Sequence, residues 1–391
     1  TTLHRLLGTR PDSRHFRHHA DNPLHADLVV VDEASMIDMD MMASLLEALG
    51  PHTRLILLGD KDQLASVEAG AVMGDLCRHA HEGRYQQDTI DFISSTCDAD
   101  ISDYRETDQQ PGNALAQQTA MLRTNWRSKD SPGIGALARA VNEDNLPQVR
   151  KTFQQYPDSL HRRPLSSDSQ QLETLLLNGS GDHGGLRALF NAVATPPGQR
   201  QDFDDWAAGL LRQLTHQQLL SGLRSGPFGV EQLNQRITRH LQQQELAPER
   251  DWYPGRPVMM TRNDYQLGLM NGDVGLTLPL LEEKSGKPEL LLRVAFQLPD
   301  GRIKWVLPSR LDGVETVYAM TVHKSQGSEF RHTLLVLPDA SHPLLTRELI
   351  YTAVTRARDR FTLLEFGKPA VLDSAVKKRT WRASGLAERL S

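Results

Sequence analysis

The residues in this sequence best placed to do chemistry are a pair of acids, Asp32-Glu33, that close the apolar run Leu28-Val29-Val30-Val31. One carboxylate at a strand end can hold Mg²⁺, usually through water, because the ion keeps part of its hydration shell and needs only one or two protein acids. A second carboxylate beside it can orient an attacking water and take its proton. The same pair can equally do no more than cap the helix that follows. Gly59-Asp60-Lys61-Asp62-Gln63-Leu64 follows a second apolar run, Leu55 to Leu58. Its glycine lets the backbone turn sharply, and Gln63 offers both a donor and an acceptor to a phosphate or a water. In isolation this is a polar loop; its value comes from emerging beside the acid pair. Arg127, in Asn125-Trp126-Arg127, and Arg356, in Val354-Thr355-Arg356-Ala357-Arg358, could each set a guanidinium on a transferring phosphate, or lie on a helix surface as most arginines do. Thr321-Val322-His323-Lys324-Ser325-Gln326-Gly327-Ser328-Glu329-Phe330 is the densest polar cluster. Its Thr, His and Lys suit phosphate oxygens, and the glycine followed by Glu329 can come close to a ribose.

These groups need a frame. The run ending at Asp32 and the run ending at Gly59 both lack alternation, which predicts strands covered on both faces of a parallel sheet. Between them Ile37, Met41, Leu45 and Leu49 recur at helical spacing until Gly50-Pro51 stops the helix. Strand, helix, strand is a βαβ unit, in which ligands bind at the carboxyl ends of the strands, where Asp32, Glu33 and Asp60 fall. Between Asp88 and Asp108 lie seven acids and one base, Arg105, with few bulky apolar residues, which predicts a solvated insertion or mobile loop. The stretch 155–220 reads as helical. From Pro257 to Leu311 the pattern turns to short strands parted by Asn271-Gly272 and Asp300-Gly301, a small β-module. His332 to Pro338 and Arg360 to Leu364 are again strands, with a helix from Thr346 to Ala357 between them.

The chain has 391 residues, enough for two or three domains at roughly 100–200 residues each. A net charge of −5 excludes a polycation, yet residues 345–391 carry ten Lys or Arg against five Asp or Glu, so a basic face is local. No run approaches the ~20 apolar residues of a bilayer span. Cys77 and Cys97 cannot make a disulfide framework, which suggests a reducing, cytoplasmic setting. His15, His18, His19 and His25 lack cysteines or acids at ligand spacing and make a poor zinc site. Trp252, Tyr253 and Trp305 could stack bases or form the core of the β-module, with core favoured for Trp305.

Val30-Val31-Asp32-Glu33-Ala34-Ser35, Leu58-Gly59-Asp60-Lys61-Asp62-Gln63-Leu64, Thr321-Val322-His323-Lys324-Ser325-Gln326-Gly327 and Tyr351-Thr352-Ala353-Val354-Thr355-Arg356-Ala357 occur in that order. Together they resemble motifs II, III, V and VI of superfamily-1 DNA helicases of the 5′-to-3′ branch. Thr2-Leu3-His4-Arg5-Leu6-Leu7-Gly8, the stretch from Gln63 to Val72, and Gly268-Leu269-Met270-Asn271-Gly272-Asp273-Val274-Gly275 are similar to the RecD family, the alpha subunits of exodeoxyribonuclease V, the RecBCD recombination enzyme. The resemblance runs from residue 2 to about 390 and is weakest in 85–113 and 155–220.

It implies an α/β fold of two RecA-like P-loop NTPase domains with a small β-barrel inserted in the second. The expected division is 1–115, then 116–256 with 312–391, and 257–311 as the barrel. It implies ATP and Mg²⁺ as cofactors, Asp32 as the metal residue, and Glu33 activating the water. Gln63 would sense the γ-phosphate, Arg127 and Arg356 would reach it from the second domain, and Asp60, Gly327 and Glu329 would serve nucleotide binding. His4, Thr321, His323 and Lys324 would lie along single-stranded DNA. The partners implied are RecB-like and RecC-like subunits, with no membrane. A nucleotide-independent DNA-binding or assembly module, and a stand-alone RecD-like helicase, are the competing readings.

The phosphate-binding pattern Gly-x₄-Gly-Lys-Ser/Thr does not occur; Ser285-Gly286-Lys287-Pro288 has the wrong spacing. Because that loop lies upstream of Thr-Leu-His-Arg in the family, and the chain opens Thr1-Thr2-Leu3-His4 without Met, the expectation is a C-terminal fragment. Such a fragment would not hydrolyse ATP, and its first domain would expose a sheet edge.

Overall fold

The computed structural model describes all residues except 11–12, 14, 66–71, 124–130, 167–168, 181–182, 285, 381–385 and 387–391. The chain divides into two units, Thr1–Trp126 with Thr380–Ser391, and Arg127–Arg379.

In the first unit, α1 (Leu3–Leu7) is capped by Thr2, whose hydroxyl accepts from Arg5 N at 3.3 Å, and ends at Gly8 in the left-handed region. β1 (Leu28–Val31) leads through α2 (Met39–Glu47) to β2 (Arg54–Leu57), and the two strands pair in parallel, Val29 opposite Leu55 and Val31 opposite Leu57. The Asp38 carboxylate caps α2 by accepting from Met41 N at 2.7 Å. α3 (Val72–Leu76) and α4 (Gln87–Cys97) follow. Val29 and Val31 face a core with Leu7, Ile37, Met42 and Leu45.

The opposite face of this sheet is open. Leu28 is 50% exposed, Val30 53%, Ile56 43% and Leu58 48%. The expectation of strands covered on both faces fails here, because among the described residues this sheet has two strands and its core lies on one side. An unbroken Val-Val-Val run carries no record of which elements cover it. Full burial of such side chains is worth about 1.5–3 kcal/mol each, which these four forgo in part.

The acidic stretch is likewise not the loop its composition predicts. α4 forms inside it with Ile90 buried. Tyr85 N donates to Tyr104 O and Glu106 N to Tyr85 O, both at 2.9 Å, while the Tyr85 hydroxyl donates to Thr119 O at 2.8 Å. The tie-downs are hydrogen bonds, which a count of apolar residues does not register.

The second unit begins with α5 (Pro132–Asn142), α6 (Leu146–Gln155), β3 (Leu160–Pro164) and α7 (Gln171–Asn178). The short pair β4 (Gly179–Ser180) and β5 (His183–Gly184) precedes α8 (Leu186–Val193), α9 (Phe203–Leu214), β6 (Gln217–Ser221) and α10 (Val230–Gln243). Then come β7 (Pro257–Met260), β8 (Val274–Lys284), β9 (Lys287–Gln297), β10 (Ile303–Val306) and β11 (Val314–Thr316). The unit closes with β12 (Ala319–Thr321), β13 (Phe330–Leu337), α11 (Arg347–Thr355), β14 (Ala357–Glu365) and α12 (Ala370–Lys377).

Its main sheet is parallel, in the order β12-β6-β13-β14-β3. Leu219, Leu334, Val336 and Leu364 pack against Leu172, Leu176, Leu233, Ile237 and Leu241 of α7 and α10. α5 and α11 lie against β14 and β13, so β13, from His332 on, is buried throughout. The reading of 155–220 as helical missed β3 and β6. β6 offers only Leu219-Leu220 as an apolar run, and its buried Gln218 is satisfied by the carbonyls of Tyr318 and Leu219, at 3.2 Å each. β3 is an edge strand, and its Arg162 makes a two-pronged pair with Glu365 at 2.9 and 2.7 Å.

The second sheet is antiparallel, β10-β9-β8-β7-β11. Val258, Met260, Val294 and Phe296 form its core with Leu267 and Leu269, while Leu276, Leu278 and Ala295 pack on α8 and α9. Trp305 packs there too and donates from Nε1 to Asp204 at 2.8 Å. Tyr253 is buried, its hydroxyl 2.9 Å from that of Tyr318, and Trp252 lies under the Arg256 guanidinium. Among the described residues no helix is long and apolar enough to cross a membrane.

Candidate functional site

In the first unit the parallel ladder continues past both strand ends. Leu58 N donates to Val31 O and Ala34 N to Leu58 O, both at 2.8 Å, which brings the loop after β1 against the loop after β2. A side chain at position 59 would crowd the neighbouring loop: a Cβ there would stand 3.0 Å from Ser35 N and 3.1 Å from Ala34 N. Asp32 is exposed, with Oδ1 accepting from Glu33 N at 2.9 Å. Glu33 is half-buried and sits in the left-handed region, φ 52 and ψ 39, at a cost of roughly 1–2 kcal/mol for a residue with a Cβ. That kink starts the short 3₁₀ turn Ala34–Met36.

Across from the acids, Asp60 organises its own loop. Its carboxylate accepts from Asp62 N and from Gln63 Nε2, each at 3.1 Å, and its carbonyl accepts from Gln63 N at 3.2 Å. Gln63 is 9% exposed, and among the described residues its Oε1 is buried without a hydrogen-bond partner; so is the hydroxyl of Ser35. A buried acceptor left unmade costs about 1–3 kcal/mol, which a water or ligand donor would recover. The structure thus joins Asp32, Glu33, Asp60 and Gln63 at the carboxyl end of one sheet. His4 is not among them: it lies exposed on α1, edge-on to Phe16 at 5.9 Å.

In the second unit Thr321 ends β12, and its hydroxyl accepts from Lys324 N at 3.2 Å. His323 and Lys324 occupy the 3₁₀ turn His323–Ser325, fastened by the buried Ser325 hydroxyl donating to Val322 O at 2.8 Å. The Lys324 ammonium donates to Asn271 Oδ1 at 2.6 Å. Thr321, His323 and Lys324 therefore share one turn at a strand's carboxyl end.

Gly327, Glu329 and Arg356 gather at the opposite, amino edge of that sheet, just before β13 and β14. Gly327 takes φ +76 with open space around it. Arg356 is 2% exposed; its guanidinium donates to Ser328 O at 3.1 Å and Thr352 O at 3.3 Å, and Phe330 N donates to its carbonyl at 2.9 Å. Nearby, Asp359 bonds Arg331 at 2.7 Å and Arg358 at 2.9 Å. Burial pushes its carboxyl up, but the Arg358 and Arg331 guanidiniums pull it down further, to a net value below the usual range. Arg127 lies outside the described residues.

Two participants escaped the sequence reading. Ser35 carries no chemical signal in sequence, and its hydroxyl, unpaired among the described residues, is visible only in the fold. Asn271 was a turn residue in sequence, and only the structure sets it against Lys324.

Known proteins give this arrangement its class. A family profile described as an AAA domain matches residues 1–69, and one described as a UvrD-like helicase C-terminal domain matches 316–364. The RecBCD enzyme subunit RecD of Haemophilus influenzae is 34% identical over 397 residues, covering 100% of this chain and 58% of the relative. RecD of Mycolicibacterium smegmatis is 35% identical, covering 100% and 59%. The ATP-dependent RecD2 DNA helicase of Deinococcus radiodurans is 29% identical, covering 100% and 43%. Bacteroides Pif1 bound to single-stranded DNA overlaps 99% of this chain and 82% of its own at a TM-score of 0.47 and 13% identity, too loosely to compare sites. The two profile matches fall on the segments that carry Asp32-Glu33 and Arg356, within an α/β fold. Over its whole length the chain is similar to RecD subunits, and it spans less than two thirds of the length of those relatives.

Proposed function

We propose that the protein is an ATP-dependent 5′-to-3′ DNA helicase subunit of a cytoplasmic recombination and break-repair helicase–nuclease. In this reading it works on single-stranded DNA beside RecB-like and RecC-like subunits. The observation that carries it is Gln63: a buried carboxamide, anchored to Asp60, whose oxygen has no partner among the described residues, in the loop after β2 that is hydrogen-bonded to the one beginning Asp32-Glu33. Strand-end carboxylates with a preset, unsatisfied acceptor suit a nucleotide phosphate and its water.

An exposed Asp32 fits Mg²⁺ held mainly through water, and Mg²⁺ when bound with ATP supplies neutralisation of the phosphate charge. Glu33, oriented by its left-handed backbone, accepts the proton of the attacking water, and Gln63 Oε1 orients that water. Asp60 holds Gln63 in place. Arg127, Arg356, Gly327 and Glu329 are the nucleotide residues proposed for the second unit, and His4, Thr321, His323 and Lys324 those for the single strand. These 391 residues contain no Gly-x₄-Gly-Lys-Ser/Thr, so by themselves they bind single-stranded DNA without turning over ATP.

The test measures both. The 391-residue chain should bind a dT₂₀ oligonucleotide, equally with and without ATP, and show no DNA-stimulated phosphate release. The full-length gene product should hydrolyse ATP when DNA is added, with Glu33→Gln lowering the rate by about 10²–10⁴. DNA-stimulated hydrolysis by the 391 residues, or full activity of Glu33→Gln, would overturn the reading.

A further inference from the structure

We infer that the loop joining β7 to β8 is part of the single-strand site, and that Asn271 is a positioning residue for the ammonium of Lys324. The inference rests on the reading above that Lys324 meets a DNA phosphate.

Lys324 is fixed at both ends. Its backbone N donates to Thr321, and its Nζ reaches 2.6 Å to the side-chain oxygen of Asn271, in the loop joining β7 to β8. A lysine stem carries a large share of rotamer freedom, which binding must otherwise remove. A stem held beforehand has less to lose, and so binds tighter for the same contacts. The ammonium has three N–H donors; Asn271 takes one and two remain for phosphate oxygens. The acceptor is a neutral amide, so the positive charge is not spent, and among the described residues no carboxylate forms an ion pair with Lys324.

The support behind Asn271 is itself braced. Asn271 N donates to Asn263 Oδ1 at 2.9 Å, and Met270 N to Asp273 Oδ2 at 2.7 Å. Asp264 and Leu269 exchange backbone bonds at 2.7 and 3.0 Å, and Leu267 and Leu269 are buried in the core of the small sheet. Lys304 Nζ donates to the Leu267 carbonyl from β10. Gly272, at φ +95, makes the turn that follows Asn271. The small sheet thus holds a rigid arm out to the turn that carries Thr321, His323 and Lys324.

The experiment is a cycle on the 391-residue chain, reading dissociation constants for fluorescent dT₂₀ across a KCl series, with thermal melts to confirm folding. Lys324→Ala should weaken binding about tenfold and lower the slope of log K against log salt by about 0.7, one phosphate contact on a single strand. Asn271→Ala should weaken binding about threefold, and the double variant should be no weaker than Lys324→Ala alone. Asn271→Asp keeps the bond but neutralises the charge. It should lose the same slope as Lys324→Ala, which a merely structural asparagine would not do, and it carries the test if Asn271→Ala melts early. If Lys324→Ala weakens binding while the Asn271 variants leave it unchanged, or add to it independently, the positioning role is overturned. If Lys324→Ala has no effect, the placement of Lys324 on DNA falls, and the positioning role with it.

Discussion

Gln63 donates its side-chain amide to Asp60 at 3.1 Å, and the oxygen of the same carboxamide is buried with nothing among the described residues to accept from. The anchor and the vacancy belong together: Asp60 fixes which end of the amide is left over. A group held this way loses little freedom when a water or phosphate arrives.

Replacing Gln63 by Ala should therefore act on turnover rather than on DNA. In the full-length gene product, DNA-stimulated ATP hydrolysis is expected to fall by about 10²–10⁴, while the affinity of the 391-residue chain for dT₂₀ stays within twofold. A coupled phosphate-release assay beside fluorescence anisotropy separates the two, and unaltered hydrolysis would remove Gln63 from the site.

Gly59 is a packing constraint with a functional consequence. In Gly59→Ala the new methyl meets the backbone nitrogens of Ala34 and Ser35, which cannot swing aside as a flexible side chain would. The cost expected is about 1–3 kcal/mol, read as a lowered urea midpoint of the first unit. An unchanged midpoint would show that the loop after β1 moves freely.

Arg347 opens α11, whose far end carries Arg356. Its guanidinium is buried and bonds Val376 O at 2.8 Å, Asn142 O at 3.3 Å and the Asp144 carboxylate at 3.0 Å, clamping the ends of α5 and α12. Arg347→Ala strands those carbonyls and is expected to destabilise the second unit by about 2–4 kcal/mol. Arg347→Lys should recover less than half, since one ammonium cannot span three acceptors held by a planar fork. Calorimetry of the second-unit transition reads both variants.

His161, on edge strand β3, is held below the usual histidine range by burial, then by the nearby Arg360 and Arg163. A depressed folded pKa means the neutral ring is the favoured form in the fold. Its stabilisation is full above the unfolded value near 6.5 and is lost as pH falls through the lower folded value. Melting temperature should drop between pH 7 and 5, and His161→Gln should flatten that drop. An identical slope in the variant would assign the pH dependence to other groups.

The second-unit sheet shows where sequence reading works. Leu334 to Leu337 is an apolar run, and the structure covers both of its faces with helices, as such a run predicts. Leu28 to Val31 is the same kind of run and has one face open, because coverage belongs to the neighbours rather than to the strand. β6 was hidden for the converse reason: Gln218 is polar by type and buried by virtue of the Tyr318 carbonyl 3.2 Å away.

What the sequence determined by itself was the chemistry on offer and its order along the chain. Acids after one strand, Gly-Asp and Gln after the next, and a Thr-His-Lys turn with a later arginine are local statements, legible because strand ends and turns are set by a few adjacent residues. Tertiary structure alone decided the partnerships. It left Gln63 Oε1 vacant, buried Arg356 among carbonyls, and set Asn271 against Lys324 across 53 residues of chain. Those outcomes depend on which groups are brought within hydrogen-bonding distance of one another, and no spacing in sequence encodes a distance between two separate loops.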